Sequence, residues 1–393
     1  MRICKVGTVA CILSTATLIN SQQFSLSDSV NAFGISLLGE TINQAGDSLN
    51  VALSTYTVWT LMAVLLEGSK DNTARQLENT LRIPQNQVPL RTNFRNYSYT
   101  LLSKADGVTL ELNTAIFTNK EFPIKKSFQT VAEQSYNVAV NPLNFKNPPQ
   151  AASLINKYVA QATRNRITTF VSPGDVMNAQ VFLTSILFFK GQWKIPFNTT
   201  ATHKETFYDE KNNKIGEVDM MFQIGTFPFS RREDINAYTV ELPYGYVRES
   251  LSGVLNLISK MPFTNIIKGL EDAEREFGNV DIHMYLPKFK ISSDFNLNVV
   301  LNKIGIKDIF EYDKANLLGI FDHYLYLSRL IQKAEIEVNE EGTVASAASG
   351  ATLEDRIQPP KFRANRPFLY FIVDKSTRSI LFSGKVSNPN TLK

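Results

Sequence analysis

Near the carboxyl end lies a run that few folds can use: Gly342-Thr343-Val344-Ala345-Ser346-Ala347-Ala348-Ser349-Gly350-Ala351, all small side chains with no charge and no ring. It follows Glu340-Glu341, and no proline appears until Pro359. A flexible surface loop ordinarily carries more charge and more turn-forming residues. Placed on a strand, Thr343, Ala345, Ala347, Ser349 and Ala351 share one face, while Val344, Ser346, Ala348, Gly350 and Thr352 share the other. Either face can be buried and every N–H can join a ladder, so the tract can slide into the middle of an existing sheet. Just before it, Lys333 to Val338 alternates polar and apolar, with Ala334, Ile336 and Val338 on one side, which predicts a half-buried strand.

A sheet must therefore exist to receive the tract, and the rest of the chain supplies strand signals. Apolar or alternating runs at Val108–Phe117, Val181–Phe189, Tyr238–Leu242, Val254–Ile258 and Val280–Phe289 are mostly bounded by Gly, Pro, Asn or Asp. Helical spacing occurs at Val58, Leu61, Met62, Leu65 and Leu66, then over Thr73–Leu81, Ala151–Thr163 and Phe295–Leu301. Helices and strands mix without a regular βαβ repeat, so the expected class is α+β on large sheets. No Pro/Gly/Ser-rich linker divides the chain, and no internal repeat is present.

The amino terminus has the build of a secretory signal: basic Met1–Lys5, apolar or small Val6–Ile19, then polar residues from Asn20. Residues 1–20 are expected to be removed, leaving 21–393 as one domain that is secreted and extracellular. Cys4 and Cys11 both fall in the leader, so the mature chain would hold no disulfide and rest on packing alone. Without Arg2 and Lys5 the 41 basic residues become 39 against 37 acidic, a balance that points to neither nucleic acid nor a membrane surface. Asn96-Tyr97-Ser98 and Asn198-Thr199-Thr200 are glycosylation sequons in an exported chain. The mature histidines, His203, His283 and His323, lie in no metal or nucleophile motif, so no metal, cofactor or catalytic residue is expected and the chain does not read as an enzyme.

Glu340-Glu341-Gly342-Thr343 followed by the alanine-rich run resembles the hinge of the serpin family. Phe362-Arg363-Ala364-Asn365-Arg366-Pro367-Phe368-Leu369-Tyr370-Phe371-Ile372 resembles its carboxyl-terminal signature. Further matches follow in order: Asn50–Ser54, Phe188–Trp193, Val218–Met221, Glu241–Tyr244, Leu286–Phe289 and Gly384–Pro389. The resemblance implies the serpin fold, with three β-sheets, about eight or nine helices and an exposed reactive-centre loop, here 340–360. In this family the reactive bond follows the residue 14 places after the hinge glycine and 11 before the signature proline; both counts give Arg356, so the implied bond is Arg356–Ile357.

The resemblance implies a suicide inhibitor: the protease attacks the Arg356 carbonyl, becomes acylated there, and is carried along as Gly342 to Asp355 inserts as a new central strand, led by the hinge (Glu340, Glu341, Gly342, Thr343, Val344, Ala345, Ser346, Ala347, Ala348). An arginine at the cut requires an acidic pocket, so the expected partner is a trypsin-like serine protease held as a covalent acyl complex. Pro359 and Pro360 would keep the exit of the loop extended. Val344 stands where the family often has glutamate, on the face that would point outward. The family's gate residues correspond to Ser54, Thr57, Ser185 and Gln332, an altered set able to form a hydrogen-bonded cluster that bears on the opening barrier. Trp193 matches the family's breach tryptophan at the upper end of the sheet. An alternative is a non-inhibitory serpin serving as a binding, carrier or storage protein; the uncharged Thr343–Ala351 argues against it. Arg75, Arg82, Arg91 and Arg95 read as scattered solvated charges, so heparin is not an expected partner, and a monomer is expected.

Overall fold

The computed structural model describes residues 24–46, 48–84, 88–101, 108–191, 193, 196–234, 237–240, 245–247, 258–277, 280–340, 359–374 and 377–391. Eight α-helices and three sheets occur among them. Helix α1 (Leu26–Ala45) opens on Ser25, whose hydroxyl accepts from the Asp28 amide at 3.2 Å, and stops at Gly46, which takes a φ of +83°. Helix α2 (Thr55–Leu66) is buried on all sides, which is why its sequence is apolar around the whole circumference. Helix α3 (Asp71–Leu81) instead buries the single stripe Thr73, Leu77 and Leu81, at i, i+4 spacing. Helices α4 (Val88–Leu101), α5 (Lys126–Tyr136), α6 (Pro148–Ala162), α7 (Thr264–Phe277) and α8 (Asn298–Lys303) complete the set.

The main sheet orders its strands β11 (Phe289–Asn296), β12 (Leu327–Val338), β4 (Val181–Gly191), β2 (Val108–Asn119) and β3 (Ala139–Leu143). A four-stranded sheet runs β13 (Lys361–Arg363), β10 (Val280–Pro287), β6 (Lys214–Phe227) and β5 (His203–Tyr208). A six-stranded sheet runs β1 (Val51–Leu53), β15 (Ser379–Val386), β14 (Phe368–Asp374), β9 (Gly245–Val247), β8 (Ala237–Val240) and β7 (Phe229–Arg232). Gly384 in β15 admits a close crossing: a Cβ there would lie 2.1 Å from the Val51 carbonyl oxygen.

Both faces of the main sheet are covered. Leu183, Leu187 and Phe189 of β4 join the large core with α1 and α2, whereas Phe182 and Ile186 join a second core with Ile155 and Val159 of α6. This explains the continuous apolar run of Val181–Phe189, since a strand buried on both sides has no solvent face to alternate with.

Two expected elements are corrected. Val280–Phe289 is not one strand: it breaks at Pro287-Lys288, so that β10 and β11 enter different sheets. Pro287 lacks the N–H that would continue the ladder, and the Lys288 amide turns to the Asp219 carbonyl. The helix expected over Phe295–Leu301 begins at Asn298, because Phe295 and Asn296 still pair with Gln332 and Ile331 in the main sheet. Of Val254–Ile258, only Ile258 lies within the described residues.

Candidate functional site

Strand β12 leads directly into the small-residue tract, and its pairing is unlike that of its neighbours. It runs antiparallel to β11 but parallel to β4, with register from Leu327 opposite Val181 to Ile336 opposite Phe189. Strand β4 in turn is antiparallel to β2. Two long central strands that lie side by side and point the same way can be parted by one strand running against both. Such a strand would exchange one parallel ladder for two antiparallel ones, which are slightly more stable per residue.

The seam between β12 and β4 is closed at mid-length by polar groups. Gln332 and Ser185 are directly opposite one another in the register. The Gln332 amide nitrogen Nε2 donates to Ser185 Oγ at 2.8 Å, to the Ser54 carbonyl at 2.9 Å and to Thr57 Oγ1 at 3.3 Å. Its Oε1 accepts from the Ser54 amide at 3.1 Å. Thr57 Oγ1 and Ser185 Oγ share a bond of 2.6 Å, and Ser54 Oγ caps α2 by accepting from the Thr57 amide at 3.2 Å. All four residues are buried, so these bonds form where water offers no substitute. Thus the structure brings Ser54, Thr57, Ser185 and Gln332 together, and the cap of one helix is wired to both strands of the seam.

At the end where β12 leaves the sheet, Trp193 is buried, packs edge-on to Phe197 and donates from Nε1 to the Asn339 carbonyl at 2.6 Å. The indole therefore spans from the chain beyond β4 to the chain beyond β12. Glu340, the first hinge residue, is also buried; its carboxylate pairs with Lys288 Nζ at 2.8 Å and accepts from Thr202 Oγ1 at 2.7 Å. Burial pushes this carboxyl up, but the bonds from Lys288 and Thr202 outweigh it and hold the group below the usual glutamate range. Lys288 and Thr202 were not singled out from sequence. Lys288 lies in the quoted Leu286–Phe289 motif, the one signal that could have pointed to it.

Towards the other end of β12 the segment following α6 is tied down. Arg329 Nη1 meets Asp175 at 2.7 Å, and Lys333 Nζ reaches the Thr169 carbonyl at 3.0 Å and Asp294 at 3.0 Å. Asp175 is held down from the ordinary aspartate value: burial opposes the shift, while bonds from Ser172 and the charges of Arg329 and Lys333 drive it.

The hinge residues Glu341, Gly342, Thr343, Val344, Ala345, Ser346, Ala347 and Ala348, and the bond Arg356–Ile357, lie outside the described residues, as do residues 1–20. Asn96 is exposed on α4; Asn198 is exposed and accepts from the Thr200 amide at 3.0 Å and its hydroxyl at 2.8 Å. Arg91 differs from the expectation of a solvated charge: its guanidinium grips Glu67, a carboxylate 2% exposed, with Nη2–Oε2 at 2.5 Å, and Tyr136 donates to the same group at 2.7 Å. Among the described residues no helix is long and apolar enough to cross a membrane, and no three His, Cys, Asp or Glu are grouped to hold a metal ion.

The fold has counterparts in known proteins. At 24% identity the chain superposes on the Manduca sexta serine protease inhibitor (serpin)-12 with a TM-score of 0.81, covering 94% of this chain and 99% of that one. On uncleaved ovalbumin the TM-score is 0.82, also at 24% identity. These two likenesses show the fold. Among curated relatives, the leukocyte elastase inhibitor of Xenopus tropicalis is 31% identical over 382 residues, spanning 93% of this chain and all of that protein. Alpha-1-antichymotrypsin of Pongo abelii is 32% identical over 370 residues, spanning 91% of this chain and 86% of the other. The family model described as serpin (serine protease inhibitor) matches residues 28–389. Sequence, sheet order and relatives converge, and the chain belongs to the serpin family.

Proposed function

We propose that this serpin is a secreted inhibitor that traps a trypsin-like serine protease as a covalent acyl-enzyme at Arg356. The observation that carries the reading is the juxtaposition of a parallel β12–β4 seam with a small, uncharged tract that continues β12. Turned back after Glu340, residues 343–355 would run antiparallel to β12 and therefore antiparallel to β4 as well. Insertion adds on the order of ten backbone hydrogen bonds at about 1 kcal/mol each, before any side-chain burial. The free energy released on cutting is thus available to drag the attached enzyme away from the loop.

In this reading the Ser54–Thr57–Ser185–Gln332 cluster is the shutter, Trp193 the breach, and the bonds of Glu340 to Lys288 and Thr202 the latch on the hinge. Export rests on the leader-like 1–20, and it would make the sequons at Asn96 and Asn198 available for glycan; the exposure of both asparagines is compatible with that. The arginine at 356 selects enzymes with an acid at the base of the primary pocket, because a guanidinium buried without a carboxylate is strongly disfavoured. Mixing with trypsin followed by denaturing electrophoresis tests the proposal. A complex stable to denaturant supports it, whereas quantitative cleavage after Arg356 with no complex refutes it in favour of a non-inhibitory role.

A further inference from the structure

We propose that His203 is a protonation-controlled clamp on the chain that follows the loop 340–360: when charged, it fixes the Glu205 carboxylate against Arg363 and Asn365. His203 and Glu205 are two apart on β5, so their side chains share a face. Glu205 is the hub. Its Oε1 lies 3.4 Å from Arg363 Nη1 and accepts from Asn365 Nδ2 at 3.4 Å, while its Oε2 lies 3.5 Å from His203 Nε2. The Asn365 carbonyl also accepts from the Tyr208 amide, at the far end of β5, at 3.0 Å. The second ring nitrogen of His203, Nδ1, stands 3.1 Å from the Ala201 carbonyl. Both ring nitrogens therefore face oxygens that can only accept. A neutral imidazole has one N–H, so whichever nitrogen holds it, the other turns a lone pair toward an oxygen. The imidazolium, with two N–H groups, satisfies both.

The strand held in this way has little else to hold it. β13 is an edge strand whose ladder to β10 is three residue pairs long, against eight pairs between β10 and β6. Side-chain anchors therefore carry a larger share of what keeps β13 in place. The charged and titratable groups around His203 allow the switch. Arg363 of β13 is a second cation, but it takes the opposite carboxylate oxygen and rests 4.2 Å over the Tyr285 ring. Tyr285 of β10 meets the His203 ring edge-on at 6.3 Å, and Lys204 is paired with Asp219 of β6 at 2.8 Å. On the other side Thr202 Oγ1 donates to Glu340 at 2.7 Å, and Lys288 pairs with the same carboxylate. Four consecutive residues, Thr202 to Glu205, thus grip both ends of the stretch 341–358. Between pH 5 and 8, where histidine side chains change charge, the grip that varies is the far one, and acid tightens it.

Hydrogen–deuterium exchange of the full-length protein at pH 5.5 and pH 8 tests the clamp. The reporter is the peptide containing Ala364, whose amide donates to the Tyr285 carbonyl at 2.9 Å, with rates divided by the intrinsic exchange rate at each pH. Wild-type protection should be about threefold higher at pH 5.5 than at pH 8, the scale of one surface ion pair. His203→Gln should be flat at the lower level, and Glu205→Gln low and flat as well. His203→Lys, a cation at both pH values, should be flat at the higher level, which a merely structural role for the ring would not produce. His283→Gln is the control, because His283 stands opposite Lys361 on β10, and it should keep the wild-type profile. Thermal midpoints measured alongside show that each variant is folded. Equal wild-type protection at the two pH values overturns the proposal. So does a pH dependence that persists in His203→Gln or vanishes in His283→Gln. None of these readouts requires that a protease be inhibited, so the clamp and the trap stand or fall separately.

Discussion

Replacing Gln332 by leucine should make the protein inactivate itself. Leucine nearly fills the space, so the change removes polar contacts rather than opening a cavity. Four bonds are lost, of which those to the Ser54 carbonyl (2.9 Å) and Ser185 Oγ (2.8 Å) are the best formed. The Ser54 carbonyl still receives Thr57 Oγ1 and the Val58 amide, and Thr57 and Ser185 keep their mutual bond. The Ser54 amide, whose partner was Gln332 Oε1, is left in a site closed to solvent. Two hydrogen bonds at about 1 kcal/mol and one buried donor at about 1–3 kcal/mol give a loss of roughly 3–5 kcal/mol. These groups bridge β12 and β4 and must separate before anything enters the seam, so most of that loss lowers the opening barrier. Each 1.4 kcal/mol is tenfold in rate, and even half of the loss predicts spontaneous inactivation faster by roughly tenfold.

The assay incubates protein without protease and titrates surviving inhibitory capacity against trypsin over time. Thr60→Val is the control: Thr60 Oγ1 bonds the Tyr56 carbonyl at 2.8 Å in the same helix but does not reach the seam. An inactivation rate within twofold of wild type, alongside an ordinary fall in thermal midpoint, would show that the cluster merely packs the core and does not hold the seam.

Arg356→Ala should abolish inhibition of trypsin, read as loss of the covalent band, with the midpoint within a degree of wild type. Thr343→Arg should convert the protein into a substrate, because a charge on the inward face must be desolvated at the first step of insertion; electrophoresis would show cleavage replacing complex. Arg91→Ala leaves the buried Glu67 carboxylate with Tyr136 alone among its close partners and should cost about 3 kcal/mol or more, measured by thermal unfolding. Glu340 supplies a pH dependence. Its folded pKa is depressed, so its contribution is complete above the unfolded value near 4.5 and disappears as pH falls through the lower folded value. Wild type should therefore lose more stability than Glu340→Gln on going from pH 6 to pH 3, read by thermal unfolding, and parallel curves for the two would show that the latch is absent.

The elements read most easily were those whose pattern is local: the Thr73, Leu77, Leu81 stripe of α3 and the alternation of β12. Helix α1 escaped because its inward face includes Ser29, Asn31 and Thr41, which are buried by bonding to backbone carbonyls of other segments or of the helix itself. Register was the other hidden quantity. Gln332 and Ser185 stand 147 residues apart, and nothing in either neighbourhood states that they face each other; only the ordered family motifs suggested it. The link from Lys288 to Glu340 is of the same kind, set by the break at Pro287 between β10 and β11 that leaves Lys288 within reach of the residues after β12. The small-residue tract is the opposite case. Its composition discloses what it can do, while residues 341–358 themselves lie outside the described structure.

The three sets of contacts along β12 are not equivalent in what they resist. Under the proposed trapping mechanism, the bonds of Glu340 and Asn339 hold the end from which insertion would start, so they set whether the hinge can begin to enter. The shutter near mid-length holds strand against strand, with Lys333 beside it bonding the Thr169 carbonyl, and Arg329 ties the segment after α6 lower down through Asp175. A strand entering from the hinge end meets these in that order, and each new pair of residues it places adds backbone bonds before the next obstacle is reached. A shutter worth about 3–5 kcal/mol can therefore block an uncut loop, which gains only its first residues, yet yield to a cut one with some ten bonds to form. Weakening the shutter should then cost the uncut protein its persistence far more than it changes the final trapped complex. Weakening the latch should alter the partition between trapping and turnover, and a variant set in which both classes of change produced the same phenotype would contradict this order of events.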